Sequence, residues 1–351
     1  MPRRLRDILR TLSLIMITVS MPAVEGKSGS AHGAMPQLAA LRVARSERVA
    51  DGTHLYELRH PDGHELPRFT AGSHVTVRVP NGLLRKYSLC NDPAERDRYV
   101  VAVKREASGR GGSASLVDGT RAGDLLPCTM PENNFALAER AANFLFIAGG
   151  IGITPIMAMV RHLKSTGRGR FQLYYCTRTP QATAFLEELT APAFHGQVRI
   201  HHDQGDPARA LDLWPLLERP SGAHLYCCGP RAMMEAVRDM TGHWSRAAVH
   251  FESFADTAQT RTGEDRAFSV RLARSGEVVE VPASASILEA LRASGHAVPS
   301  SCESGTCGTC RTRLLGGEAD HRDLVLSDAE RADNIMVCVS RARSAELILD
   351  R

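Results

Sequence analysis

From Leu38 to about Arg140, short runs of alternating apolar and polar residues are broken by Gly, Pro, Asn and Asp. The clearest runs are 41–43, 55–58, 74–79, 87–89 and 99–103, with turn pairs at Asp51-Gly52, Asp62-Gly63 and Asn81-Gly82. Period-two alternation punctuated this way predicts an antiparallel β-barrel of about six strands, with one short helix at 113–118. From Asn143 to Ser253 the texture changes. Strands are predicted at 144–148, 171–176, 198–202 and 224–228, and helices at 155–164, 182–189 and 231–240. Strand and helix in alternation imply an α/β domain with a parallel sheet covered on both faces. Residues 256–266 are polar and read as a linker. Residues 267–351 form a smaller α+β unit: a hairpin over 268–272 and 278–281, a helix at 287–293 and closing strands at 335–339 and 345–349. Ser286 and Glu289 have the spacing of a capping box on that helix. The expected limits are 1–34 for an extension, 35–140 for the barrel, 141–255 for the α/β domain and 267–351 for the last unit.

Composition adds mainly exclusions. The 351 residues are 43% hydrophobic and 23% charged, ordinary for a chain that builds real cores. With 43 basic against 39 acidic residues the net charge is +4, and no basic stripe with interleaved aromatics points to nucleic acid. Residues 1–34 begin with a basic stretch and an apolar run at 12–24, which resembles a secretory signal but is too short to span a membrane. No clean cleavage site follows. The domains that follow weigh against export. The segment is therefore read as an upstream extension of a cytoplasmic protein without stable membrane association.

Nine cysteines change the picture, because Cys302, Cys307 and Cys310 crowd one loop and Cys338 follows after 27 intervening residues. C-x4-C-x2-C with a distant fourth ligand is the spacing of a plant-type [2Fe–2S] site. Zinc motifs more often pair two short arms, so zinc and unligated thiols are the weaker alternatives. Gly305 and Gly308 between the ligands allow backbone amides to approach the sulfurs.

Two further constellations carry chemistry. Arg85-Lys86-Tyr87-Ser88 ends a barrel strand. Arg85 can clamp a phosphate, Tyr87 can stack on an isoalloxazine and Ser88 can bond near its N5. Lys86 is grouped with them, and Ala102, Val103 and Lys104 are expected along the flavin edge. Gly111, Gly112 and Ser113 open the short helix, where freed amides favour a phosphate. In the α/β domain, Gly149, Gly150, Gly152, Thr154 and Pro155 form a strand-end turn and helix start, with Pro155 where a dinucleotide fingerprint would have its third glycine. Cys228, Gly229 and Pro230 form a second such turn facing the same crevice. Cys227 reads as a core residue.

In this order, R-K-Y-S-L, G-R-G-G-S, A-G-G-I-G-I-T-P, Y-C-C-G-P, F-E-S-F and C-E-S-G-T-C-G-T-C resemble the phthalate dioxygenase reductase family, whose relatives include vanillate demethylase reductases. The resemblance runs from about Leu38 to the C-terminus. It implies FMN, NADH and [2Fe–2S] cofactors in that domain order, with a β-grasp ferredoxin domain last. It also implies a monomeric reductase that feeds a terminal Rieske-type oxygenase. Residues matching Ser88, Cys228 and Glu252 would lie on the hydride path, with Phe254 near the flavin ring. NADH preference is expected, although Thr177 and Arg178 stand where a ribose-reading carboxylate is common. Two alternatives are a reductase for a haem monooxygenase and a redox sensor without steady turnover.

Overall fold

In the computed structural model of the chain, the described residues are 38–107, 111–254 and 265–351. The N-terminal extension, Gly109, Arg110 and most of the expected linker lie outside them. The described residues belong to one compact unit, built on three principal sheets.

The first sheet comprises β1 (Ala39–Ala50), β2 (Thr53–Arg59), β3 (Ser73–Arg78), β4 (Leu84–Ser88) and β5 (Tyr99–Lys104), followed by α1 (Gly112–Gly119), β6 (Leu125–Cys128) and β7 (Glu132–Asn133). Its order is β4-β3-β6-β1-β2-β5, with β7 paired to β3. A bridge between Leu89 and Val101 joins the two ends and closes the barrel. Alternate residues, among them Val43, Tyr56, Leu58, Val75, Val77, Val101 and Val103, fill the interior. This is the period-two burial expected of a closed antiparallel sheet. β1 runs much longer than its apolar run at 41–43 because Arg45, Glu47 and Arg48 hold its solvent side.

The second sheet is wholly parallel. It alternates β8 (Asn143–Gly149), α2 (Ile153–Thr166), β9 (Arg170–Thr177), α3 (Leu186–Thr190), β10 (Val198–His202), α4 (Trp214–Leu217), β11 (His224–Cys228), α5 (Arg231–Met240) and β12 (Val249–Glu252). The order is β10-β9-β8-β11-β12, so the direction of winding reverses between β8 and β11, where ligands are expected. Phe144, Phe146 and Ala148 face one core with α2. Leu145 and Ile147 face the other with Met234 and Val237 of α5. The helix expected at 182–189 is shorter, because Phe185 takes a left-handed conformation (φ 61°) and places its ring under the Arg161 guanidinium. Tertiary packing overrides the local helical pattern there.

The third unit contains β13 (Phe268–Leu272), β14 (Val278–Val281), α6 (Ile287–Ala293), β15 (Arg311–Gly316), β16 (Ala319–Asp320), α7 (Asp328–Arg331), β17 (Asn334–Met336), β18 (Arg341–Ala342) and β19 (Glu346–Leu349). Strands run in the order β14-β13-β19-β15-β17, while β16 and β18 pair separately. The expected capping box is present: the Glu289 amide donates to Ser286 Oγ and the Ser286 amide to Glu289 Oε2. The strand expected at 335–339 ends at Met336, and the Val339 and Ser340 amides turn back onto the Met336 carbonyl. Cys338 therefore sits in a tight turn. Asp265, expected in the linker, is held by Arg322 at 2.6 Å beside the buried Arg341.

The barrel and the parallel sheet share one apolar core, to which Ala50, Ala71, Cys90, Val100 and Phe135 contribute from the barrel side. Tyr226 of β11 ties down the connection between them. Its hydroxyl donates to the Ala136 carbonyl (3.0 Å) and accepts from the Ala138 amide (2.7 Å). The third unit is gripped by arginines of the second. Arg231 donates to the Arg322 carbonyl and Arg238 to that of Asp323, while Arg246 pairs with Glu330. No helix among the described residues is long and apolar enough to cross a membrane. Tyr226→Phe would leave the Ala138 amide unsatisfied, so the denaturation free energy should fall by about 1–3 kcal/mol. Equilibrium urea unfolding measures it, and an unchanged midpoint would refute the role given to this hydroxyl.

Candidate cofactor and electron-transfer sites

The four cysteines predicted as ligands come together in two pairs. The Cys302 and Cys307 thiols interact with each other, as do those of Cys310 and Cys338. No three of the four sulfurs converge within 4.8 Å, as one tetrahedral ion would require. Two pairs suit a binuclear cluster with two thiolates per iron, so the donor set fits [2Fe–2S] and not a single zinc. Within the first pair the two thiols share a proton: interaction with Cys307, helped by the Ser304 and Thr306 hydroxyls, lowers the Cys302 thiol, and the same interaction raises that of Cys307. Gly305 has φ 76°, and a Cβ there would lie 2.7 Å from Val339 Cγ2. Only glycine lets this loop press against the turn that carries Cys338.

The flavin motif is assembled by close packing. A Cβ on Gly112 would lie 2.4 Å from Arg85 Nε, so Arg85 of β4 lies directly over the start of α1. Gly111 takes φ 77°, and no side chain caps the first turn. A guanidinium and uncapped helix amides thus meet at one place, which suits a phosphate. Ser113 Oγ accepts the Glu106 amide at 3.0 Å. Tyr87 is half-buried and packs on the barrel core. Val103 belongs to the barrel interior, Ala102 is also buried and Lys104 is exposed. The Lys86 side chain leaves the motif: its ammonium donates to the Ser301 carbonyl at 2.9 Å.

At the switch point the two glycine turns interlock. A Cβ on Gly152 would lie 2.3 Å from the Cys228 carbonyl oxygen, and one on Gly149 would lie 2.4 Å from Pro230 Cδ. A Cβ on Gly229 would lie 2.9 Å from the Gly149 backbone. Gly150 has φ 53°, while Thr154 Oγ1 donates to the Ile151 carbonyl and Pro155 is buried in the first turn of α2. Cys227 is a core residue, as expected. Cys228 lies opposite Glu252 in the β11–β12 register, and burial pushes its thiol well above the ordinary range. The Thr177 hydroxyl is engaged by Thr183 and His202, and Arg178 is exposed. An acidic residue reaches the end of β9 from the segment that follows β10. The Asp203 and Gln204 amides donate to the Thr177 and Arg178 carbonyls, placing Asp203 beside them. No sequence-local signal marks Asp203, because it follows the third strand of this sheet and not the second.

Ser88 Oγ donates to Glu252 Oε2 at 3.4 Å, across the junction of barrel and parallel sheet. Burial, with the Cys302 thiolate adding to it, pushes the Glu252 carboxyl up to about 8. Phe254, the last residue described before the linker, is 42% exposed. Ser88, Glu252 and Cys228 are therefore brought together.

Comparison with known proteins agrees with this geometry. Residues 146–239 match the oxidoreductase NAD-binding domain family and residues 270–343 the 2Fe-2S iron-sulfur cluster binding domain family. The chain is 57% identical over 311 residues to a phthalate 4,5-dioxygenase oxygenase reductase subunit of Pseudomonas putida, spanning 88% of this chain and 96% of that one. The chain belongs to the phthalate dioxygenase reductase family. A phthalate dioxygenase reductase of Burkholderia cepacia is 55% identical over the same shares. A solved phthalate dioxygenase reductase, described as modular for electron transfer from pyridine nucleotides to [2Fe–2S], matches with TM-score 0.68 and 53% identity over 90% of this chain and 98% of that one. This family member is an NADH-dependent oxidoreductase that uses FMN and a [2Fe–2S] cluster to serve an oxygenase component.

The raised Glu252 carboxyl has a consequence for stability. The folded chain keeps this proton where an unfolded carboxyl, near 4.5, has lost it. Its contribution is therefore complete below about 4.5 and is lost as pH rises to about 8. Glu252→Gln should become progressively more stable than the parent protein over that interval, with a constant difference above it. Urea midpoints of both proteins across this range check the sign, and parallel curves would contradict it.

Proposed function

We propose that this chain is the cytoplasmic, monomeric reductase of a Rieske-type aromatic-ring oxygenase of the phthalate dioxygenase class. The domain limits 35–140, 141–255 and 267–351 are part of the proposal. The convergence of Ser88, Glu252 and the cluster loop on one junction supports it most strongly. Arg85 and the uncapped start of α1 would hold the flavin phosphate, and the glycine turns at 149–152 and 228–230 the coenzyme. FMN supplies the step from a two-electron hydride donor to a one-electron acceptor. The chain's own residues position and exclude. Ser88 fixes the Glu252 carboxyl, Cys228 and Glu252 close the back of the crevice, and the interlocked glycines leave room for a flat ring. None of these side chains needs to form a covalent bond. The cluster thiolates form the outlet to the oxygenase.

Two measurements test this. NADH added anaerobically should bleach the flavin and produce the signal of a reduced [2Fe–2S] centre. The protein should then support phthalate oxidation with a terminal oxygenase of that class; support for a haem monooxygenase alone would overturn the partner assignment. Asp203 is proposed to read the adenosine ribose and repel a 2′-phosphate. Asp203→Asn should lower the ratio of NADH to NADPH kcat/KM by about tenfold, roughly 1.4 kcal/mol. An unchanged ratio would exclude that role.

A further inference from the structure

Lys86 stands between two residues of the flavin strand, yet its ammonium is directed at the cluster loop. It donates to the Ser301 carbonyl at 2.9 Å. The Ser301 hydroxyl donates in turn to Asn134 Oδ1 at 2.7 Å. Two separate barrel segments, β4 and the residue after β7, therefore hold the residue immediately before the ligand Cys302. Neighbouring loop contacts stay local: the Ser300 hydroxyl donates to Glu303, and Arg292 pairs with Glu303. Ser301 is thus the point at which the barrel grips the loop.

Charge converges at the same point. The Lys86 cation acts on the Glu252 carboxyl and on the buried His74 imidazole, and the Cys302 thiolate acts on both with the opposite sign. In the β3–β4 register His74 faces Ser88 and Thr76 faces Lys86. One outward face of the hairpin therefore carries His74, Lys86 and Ser88 toward the Glu252 carboxylate and the cluster loop.

We propose that Lys86 is a positioning residue for electron transfer from flavin to cluster, docking the Cys302 end of the loop on the flavin strand and placing a cation beside the cluster's negative charge. The proposal rests on the cofactor reading above. The balance it serves is NADH → NAD+ + H+ + 2 e−, each electron leaving singly through the cluster. A charge-assisted hydrogen bond holds such a contact more firmly than a neutral one. Misplacement of reacting partners by about 1 Å can cost as much as about a hundredfold in rate. A hydrogen-bonded cation also raises the potential of nearby iron–sulfur centres.

The test uses holoenzyme with full flavin and iron content: the parent protein, Lys86→Met and Lys86→Arg. Anaerobic stopped-flow with NADH gives the rates of flavin and cluster reduction in the same shot, and EPR-monitored redox titration gives the cluster potential. In Lys86→Met, the ratio of cluster to flavin reduction rates should fall at least fivefold and the cluster potential should shift downward. Lys86→Arg should restore most of both. A Lys86→Met protein with the parent's ratio and potential overturns the assignment of Lys86 alone. A parent protein whose cluster stays oxidised under NADH overturns the cofactor reading and the proposal with it.

Discussion

The apolar core shared by barrel and parallel sheet constrains everything else in this molecule. Ala71, Cys90, Val100 and Phe135 pack into the same interior as Phe146, Ile156 and Met159. Such interiors are close-packed, so the two sheets cannot slide past each other without opening voids. That rigidity places the end of β4 against the end of β12, and it turns Ser88 and Glu252 from residues 164 positions apart into a hydrogen-bonded pair. It also explains why a carboxyl can stay protonated near neutral pH: the same packing removes water from one side of it.

The third unit is attached differently. Its contacts with the rest are mostly polar, made by Arg231, Arg238, Arg246 and Lys86 to backbone carbonyls and to Glu330. One buried leucine, Leu324, joins the far core of the parallel sheet. Polar contacts of this kind resemble a transient interface more than an obligate one. A unit that must receive electrons from within and deliver them to another protein benefits from docking that is directional without being deeply apolar.

The sites were unequally legible. The four cysteines are legible as a group because their spacing in one loop is a local signal, but their arrangement in two pairs is not, since it depends on the turn after β17. Arg85 and Gly112 were assigned to one site from chemistry alone; that they touch follows from the packing of β4 on α1. Lys86 was grouped with the flavin residues by its position in the motif, whereas alternation on β4 turns it toward another domain. Asp203, proposed to read the ribose, carries no local signal because the register of β9 with β10 delivers it. The helix at 182–189 was over-read because nothing local shows that Phe185 leaves helical geometry to meet Arg161.

Sequence by itself determined the elements whose signals are short-range: the alternating barrel strands, the glycine turns, the capping box on α6 and the cysteine loop. These follow from period, turn chemistry and ligand spacing, which act over a few residues. Tertiary structure alone decided which ends meet. Glu252 acquires its raised carboxyl, Cys228 its buried thiol and Lys86 its carbonyl partner from chain segments far away in sequence. Burial and Coulomb interaction depend on distance in space, and no local pattern encodes that.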